Sequence, residues 1–395
     1  MRVLVVALCF LLNMLDGTDL LIMSFIAPVL SQNWSVSPER LGVLFSASLA
    51  GMAIGCLGVA PWADRFGRRA LILAALALTA CAMTLSALTH DVFQLMLARL
   101  VVGVGVGTIG VTMTTMAAEF APRRHANFAV GFVQAGWPFG SIITAFTAAR
   151  WLPSHTWQSM LMGIGLLSLG LLVLMWFLLP ESLTFLALKR TDSPRLRETP
   201  APWAAVAALF EDGRGLPSAL LWTAVTLGYF ALYFVISWIP KLVTQAGLPL
   251  SQAIYAGATY NLGAFIGTAA VGWIAVRFPL HRVVATYLGL AAVTLLVFGG
   301  FVMPVWLTLM VALCVGVTVQ GGFNGFWALS ARLYPADMRN TGVGWALGVG
   351  RIGAVLGPIV GGLLVGAHVS LPAIFAIFAA AVAVAAALTL RIGAG

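Results

Sequence analysis

Long apolar stretches alternate with short polar breaks along the 395 residues, and twelve of the stretches are long enough to cross ~30 Å of hydrocarbon as helices. They lie near 3–30, 40–61, 70–89, 92–117, 127–149 and 157–179, and again near 219–240, 252–276, 282–301, 303–328, 342–367 and 370–391. Between the two sets of six, 180–218 is the longest polar stretch, with Lys189, Arg190, Arg195, Arg197 and Arg214 among several prolines. A short amphipathic helix around 203–210 is expected inside it. The pattern predicts an all-α membrane protein of twelve transmembrane helices: a six-helix bundle over 1–180, a cytoplasmic linker over 181–218 and a second six-helix bundle over 219–395.

Composition agrees. Apolar residues make up 61% of the chain and charged residues 8%, against about 25% charged in soluble domains. The net charge of +9 would suggest nucleic acid in a soluble protein. Here it follows topology. Arg2, Arg65, Arg68, Arg69, Arg123, Arg124, the linker's basic residues, Arg277, Arg282, Arg332, Arg339 and Arg391 collect on one side of the expected membrane, against Arg40, Arg150 and Lys241 on the other. The positive-inside rule then puts both termini and the linker in the cytoplasm, as an even number of spans requires. Cys9, Cys56, Cys81 and Cys314 are scattered singly, with no metal or redox spacing, and read as packing residues. No cofactor or metal is expected. No phosphate-binding GxxxxGK[ST] loop is present, which excludes an ATP-driven pump of that type.

The two halves repeat one another. At a separation of 212 residues Pro28 matches Pro240, Gly51 matches Gly263, Gly55 matches Gly267 and Arg65 matches Arg277; at 213, Pro122 matches Pro335, Gly131 matches Gly344 and Gly140 matches Gly353. Two parallel six-helix halves are the plan of many secondary transporters, with the substrate held between the halves near mid-membrane. The symmetry breaks at charged positions: Asp16 and Asp19 correspond to Gly228 and Ala231, and Arg351 to Pro138.

Those exceptions carry the candidate chemistry. Asp16 and Asp19 are the only charges between Val3 and Leu30. A carboxylate at the centre of a membrane helix costs about 2.5–3.5 kcal/mol on the insertion scale. Spaced i,i+3, the two share a helical face about 5–6 Å apart and cannot comfortably both ionise, which suits a proton-carrying site. The competing reading has both cap a break at Gly17. Arg99, near the start of the fourth span, is a candidate partner for either acid. Arg351, about ten residues inside the eleventh span, cannot shed its proton and must meet an anion or carbonyl groups; its fork fits a carboxylate, with pairing to an internal acid as the alternative. Candidate binding residues are Tyr229 and Tyr233 in the seventh span, Gln134 and Trp137 in the fifth, Asn261 in the eighth, and Gln320 and Asn324 in the tenth. The glycine ladders read as close-packing faces.

The loop of residues 58–69, Gly-Val-Ala-Pro-Trp-Ala-Asp-Arg-Phe-Gly-Arg-Arg, resembles the signature loop of the major facilitator superfamily. Arg99 with Gly103, Gly105 and Gly107 resembles the fourth-helix motif of its proton-coupled members. Asp16-Gly17-Thr18-Asp19, followed by Ala27-Pro28, is similar to the marker of the aromatic acid:proton symporter family, as is the run from Tyr334-Pro335 to Gly350-Arg351-Ile352-Gly353. In the 58–69 loop Asp64 can cap a helix or pair with an arginine, and such a bridge would lock one state and break in the other. Asp64, Arg65, Arg68 and Arg69, with Glu119 and Arg123, are therefore expected gating residues, and Glu119 is expected in a salt-bridge network beside Arg123 and Arg124. The second half has Val276 where Asp64 stands.

The resemblance implies a monomeric carrier, not an enzyme, in the inner membrane of a bacterium, with the bilayer, protons and a small organic anion as its partners and no nucleic acid. Import of an aromatic carboxylate of the benzoate or hydroxybenzoate type by alternating access is the leading expectation. Sugar acids, aliphatic carboxylates, nicotinate, or proton-driven efflux of a drug or metabolite are the alternatives. A membrane sensor is disfavoured.

Overall fold

The computed structural model describes residues 2–122, 126–182, 185–186, 206–207, 209–245, 247–301, 303–335 and 339–392. The long helices are α1 (Arg2–Asn33), α2 (Pro38–Ile54), α3 (Arg68–Ala87), α4 (Val92–Phe120), α5 (Ala126–Gln134 and Gly136–Trp151), α6 (Trp157–Leu178), α7 (Gly215–Gln245), α8 (Leu250–Ile274), α9 (Leu280–Gly300), α10 (Val305–Leu333), α11 (Arg339–Gly366) and α12 (Leu371–Ile392). Among the described residues eleven of these spans are long and apolar enough to cross a membrane. The exception is α8, which has 25 residues, ample for a crossing, but carries Gln252, Tyr255, Tyr260 and Asn261. The expected helix at 203–210 lies largely outside the described residues.

Prolines account for two irregularities. Proline cannot donate a backbone hydrogen bond to the carbonyl four residues before it. Pro138 therefore leaves Gln134 unbonded in this way, where α5 breaks, and Pro61 follows a π turn over Gly55–Val59 that closes α2.

The chain divides into two compact units, one of Met1–Val36 and Ala47–Thr199, the other of Ser37–Ser46 and Pro200–Gly395. The start of α2 thus groups with the second unit, where Ser46 Oγ donates to Val355 O at 2.6 Å. Inside the first unit α1 packs on α5 and α4, and α3 on α4 and α6. The second unit repeats the scheme, α7 on α11, α9 on α10 and α12, and α8 on α10.

The repeat extends to single atoms. A methyl group at Gly51 would overlap Leu100 O, at Gly55 Val104 O, and at Gly103 Ser48 O. In the second unit Gly263 meets Leu313 O, Gly267 meets Val317 O and Gly316 meets Tyr260 O, the same contacts shifted by the sequence offset. Glycine at these positions lets helix backbones touch, which is how helices pack without a hydrophobic drive between them. Large apolar side chains such as Phe93, Leu167, Phe177 and Trp273 face outward, as a hydrocarbon solvent requires.

Candidate functional site

In the first unit the site centres on α1. Asp19 is 1% exposed, and neither carboxylate oxygen has a hydrogen-bond partner among the described residues. Asp16, three residues earlier, is half-buried. Arg99, fully buried on α4, donates through Nη2 to the main-chain carbonyl of Asp19, through Nε to Ser48 Oγ at 3.2 Å and through Nη1 to Met83 Sδ at 3.3 Å. The guanidinium is thus anchored beside Asp19 by groups other than its carboxylate. The sequence offers Arg99 as a partner for either acid from near a helix start; the fold buries it completely beside Asp19.

A polar seam between α1 and α5 borders these acids. Asn13 Nδ2 donates to Val133 O at 2.7 Å and to Gln134 Oε1 at 3.3 Å; Thr144 Oγ1 donates to Thr18 Oγ1 at 2.9 Å; Ser141 Oγ donates to Gly17 O at 3.3 Å. Gly17 is required there, because a Cβ would overlap Trp137 O. It continues the helix, as α1 runs unbroken from Arg2 to Asn33, so a break for the two aspartates to cap is not found. Gln134 is exposed and Trp137 half-buried.

In the second unit the candidates form an aromatic wall and a polar track. Tyr229 and Tyr233 stack with ring centroids 5.7 Å apart, and Tyr229 lies 4.3 Å from Phe323. Tyr260 Oη donates to Gln320 Oε1 at 3.4 Å, Gln320 Nε2 to Asn324 Oδ1 at 3.4 Å and Asn324 Nδ2 to Thr268 Oγ1 at 2.6 Å. Asn261 is fully buried and donates to Gly257 O at 2.8 Å within its own helix. Arg351 is half-buried on α11, next to Gly350, whose missing side chain makes room for the ring of Tyr229. The arginine and the aromatic wall therefore belong to one α7–α11 crossing.

The expected gating residues are partly gathered at one end of the first unit. Arg68 pairs with Glu119, Ser182 Oγ donates to Glu119 Oε2 at 2.6 Å, and Arg68 Nη1 donates to Ser182 Oγ at 3.2 Å. Glu181 Oε1 accepts from the backbone of Arg69 at 3.0 Å, and Arg69 Nη2 donates to Trp176 O at 2.6 Å. Arg65 points over the ring of Phe66, 5.6 Å from its centroid. Asp64 belongs to a helical turn, Ala63–Phe66, but its side chain lies outside the description, and Arg123 and Arg124 are outside the described residues. Sequence reasoning missed Glu181 and Ser182. A signal existed: an acid three residues past the end of α6 is out of place near a helix C-terminus, which favours cations.

Bundles of apolar helices with an internal repeat, buried charges and glycine-packed crossings define a membrane transporter. The sequence profile of the Major Facilitator Superfamily matches residues 6–347 and also 249–393, and the chain belongs to this family; it is a multi-pass membrane transporter and not an enzyme. It is 35% identical over 384 residues to the 4-hydroxybenzoate transporter PcaK of Pseudomonas aeruginosa, covering 92% of this chain and 86% of the relative. It is 31% identical over 408 residues to the gallate transporter of Pseudomonas putida, covering 97% and 91%. Among solved structures a D-xylose-proton symporter superposes with a TM-score of 0.77 at 18% identity, covering 98% of this chain and 97% of that one, a likeness of fold.

Proposed function

We propose that this chain imports an aromatic carboxylate, of the hydroxybenzoate type, together with protons, across the inner membrane of a bacterium, with both termini in the cytoplasm. The observation that carries the proposal is Asp19: a carboxyl group 1% exposed, without a hydrogen-bond partner among the described residues, beside a fully buried arginine that bonds the main-chain carbonyl and not the carboxylate. A permanent charge so placed would be costly, whereas a group that takes a proton on one side and gives it up on the other uses the burial. Asp16 shares the helical face and gives the site a second carboxylate. In the second unit Arg351 supplies a fixed cation for the substrate carboxylate, and Tyr229, Tyr233 and Phe323 supply ring faces. The hydroxybenzoate and gallate carriers named above support this choice of cargo.

The test is uptake of labelled 4-hydroxybenzoate by proteoliposomes. Protons enter with the cargo, so accumulation should appear when the outside is made acidic and vanish when the gradient is collapsed by an ionophore. Uptake that ignores the gradient would reject proton coupling, and no uptake by inserted protein would reject the cargo.

The Arg68–Glu119–Ser182 cluster acts as a gate latch in this reading. Glu119→Gln removes the ion pair but keeps the shape, so the expected result is a change of about fivefold in turnover with the half-saturating concentration unchanged, the effect of about 1 kcal/mol on one conformer. A latch role is rejected if turnover is that of the wild type in stopped-time uptake.

A further inference from the structure

The second unit holds a cavity of about 480 Å³ between α8 and α10, at the end where α8 stops and α9 starts. Its α8 wall presents Thr268 and Gly272, with Val276 in the turn just past the helix, and its α10 wall presents Asn324, Ala328 and Arg332. Thr268 and Gly272 share one face of α8, and Asn324, Ala328 and Arg332 share one face of α10; the small residues Gly272 and Ala328 open the space between them. One end of the cavity is polar and neutral, where Asn324 Nδ2 donates to Thr268 Oγ1. The other end has the exposed guanidinium of Arg332, about 12 Å away along α10.

The internal repeat shows what is unusual about Arg332. Helices α4 and α10 are the same length and 213 residues apart, which pairs Arg332 with Glu119; α3 and α9 start 212 residues apart, which pairs Leu280 with Arg68. In the first unit Glu119 and Arg68 form an ion pair. In the second unit the corresponding residues are an arginine and a leucine, and Leu280 lines the cavity with Arg332. The sign is inverted and the partner is lost, so Arg332 makes no ion pair or hydrogen bond among the described residues.

We infer that this cavity is a second anion subsite, in which the transported aromatic carboxylate rests on its way out, with its carboxylate on Arg332 and its ring between the small-residue faces of α8 and α10. The track Tyr260–Gln320–Asn324–Thr268 leads to it through hydrogen bonds that the cargo's polar groups can exchange one at a time. The inference deepens the proposed function and rests on it. By the distribution of basic residues, the subsite faces the cytoplasm.

Exchange of labelled 4-hydroxybenzoate in proteoliposomes of known orientation tests it, with the half-saturating concentration measured separately from each side. Arg332→Gln should raise the cytoplasmic-side value about tenfold, the loss of one charge-assisted contact, and leave the outer-side value within about twofold. Ala328→Phe fills the cavity from an exposed position and should give the same one-sided shift with the charge intact. Equal shifts on both sides, or none, would overturn the subsite. So would a change only in the amount of inserted protein, which would make Arg332 a charge that sets topology. Wild-type protein that exchanges no 4-hydroxybenzoate would instead overturn the proposed function, which separates the two failures.

Discussion

Asp19→Asn is expected to abolish uphill accumulation of 4-hydroxybenzoate while leaving exchange of labelled for unlabelled cargo in place. The substitution keeps the size of the side chain and removes its ability to titrate. Arg99 stays anchored, because its bonds run to the main-chain carbonyl of Asp19, to Ser48 and to Met83. Folding should therefore survive. One pH unit stores about 1.4 kcal/mol per proton, enough for a tenfold concentration ratio with one coupled proton. Wild-type vesicles with an acidic exterior should approach that ratio, and Asp19→Asn vesicles should stop at equal concentrations inside and out. The loaded carrier needs no proton release to return during exchange, so exchange separates a coupling defect from a broken protein. Asp16→Asn identifies the second carboxylate's part: if it too loses accumulation, both acids serve coupling. If Asp19→Asn still concentrates the cargo, the proton travels by another group and the mechanism fails.

How much of this was readable beforehand depends on what kind of information a contact needs. The spans were legible because apolar length alone decides whether a helix can sit in hydrocarbon. The repeat was legible in glycine spacing, and its meaning became visible when Gly51 and Gly263 were found against the carbonyls of Leu100 and Leu313, themselves one repeat apart. The α1 acids stood out because a charge without neighbours in an apolar run has no cheap explanation. Partners were another matter. Spacing along one helix gives a face but not what meets it, so the sequence could offer Arg99 as a partner for the α1 acids but not its bond to the main-chain carbonyl of Asp19. Glu119 is found on Arg68 from another helix, a partner that spacing along its own helix could not show, while Arg123 and Arg124 lie outside the described residues.

Arg351→Ala is expected to raise the half-saturating concentration for 4-hydroxybenzoate by about thirtyfold or more, since removing one side of a desolvated charge pair costs about 2–5 kcal/mol. Arg351→Lys keeps the charge but not the planar fork, and a shift of about tenfold, between the two, is expected. Loss of affinity alone would not distinguish a substrate clamp from an arginine that holds an internal acid in place. A neutral analogue does. If Arg351 grips the carboxylate, 4-hydroxybenzamide should compete weakly with labelled cargo in the wild type, because the guanidinium then meets an amide. In Arg351→Ala the acid and the amide should compete almost equally, since the group that told them apart is gone. The two changes would then be strongly non-additive, as expected for partners in direct contact. If instead Arg351 serves an internal acid, the variant should weaken acid and amide by the same factor, because the damage is to the shape of the α7–α11 crossing beside Tyr229. Competition curves for the two compounds on the two proteins decide between a clamp and a brace.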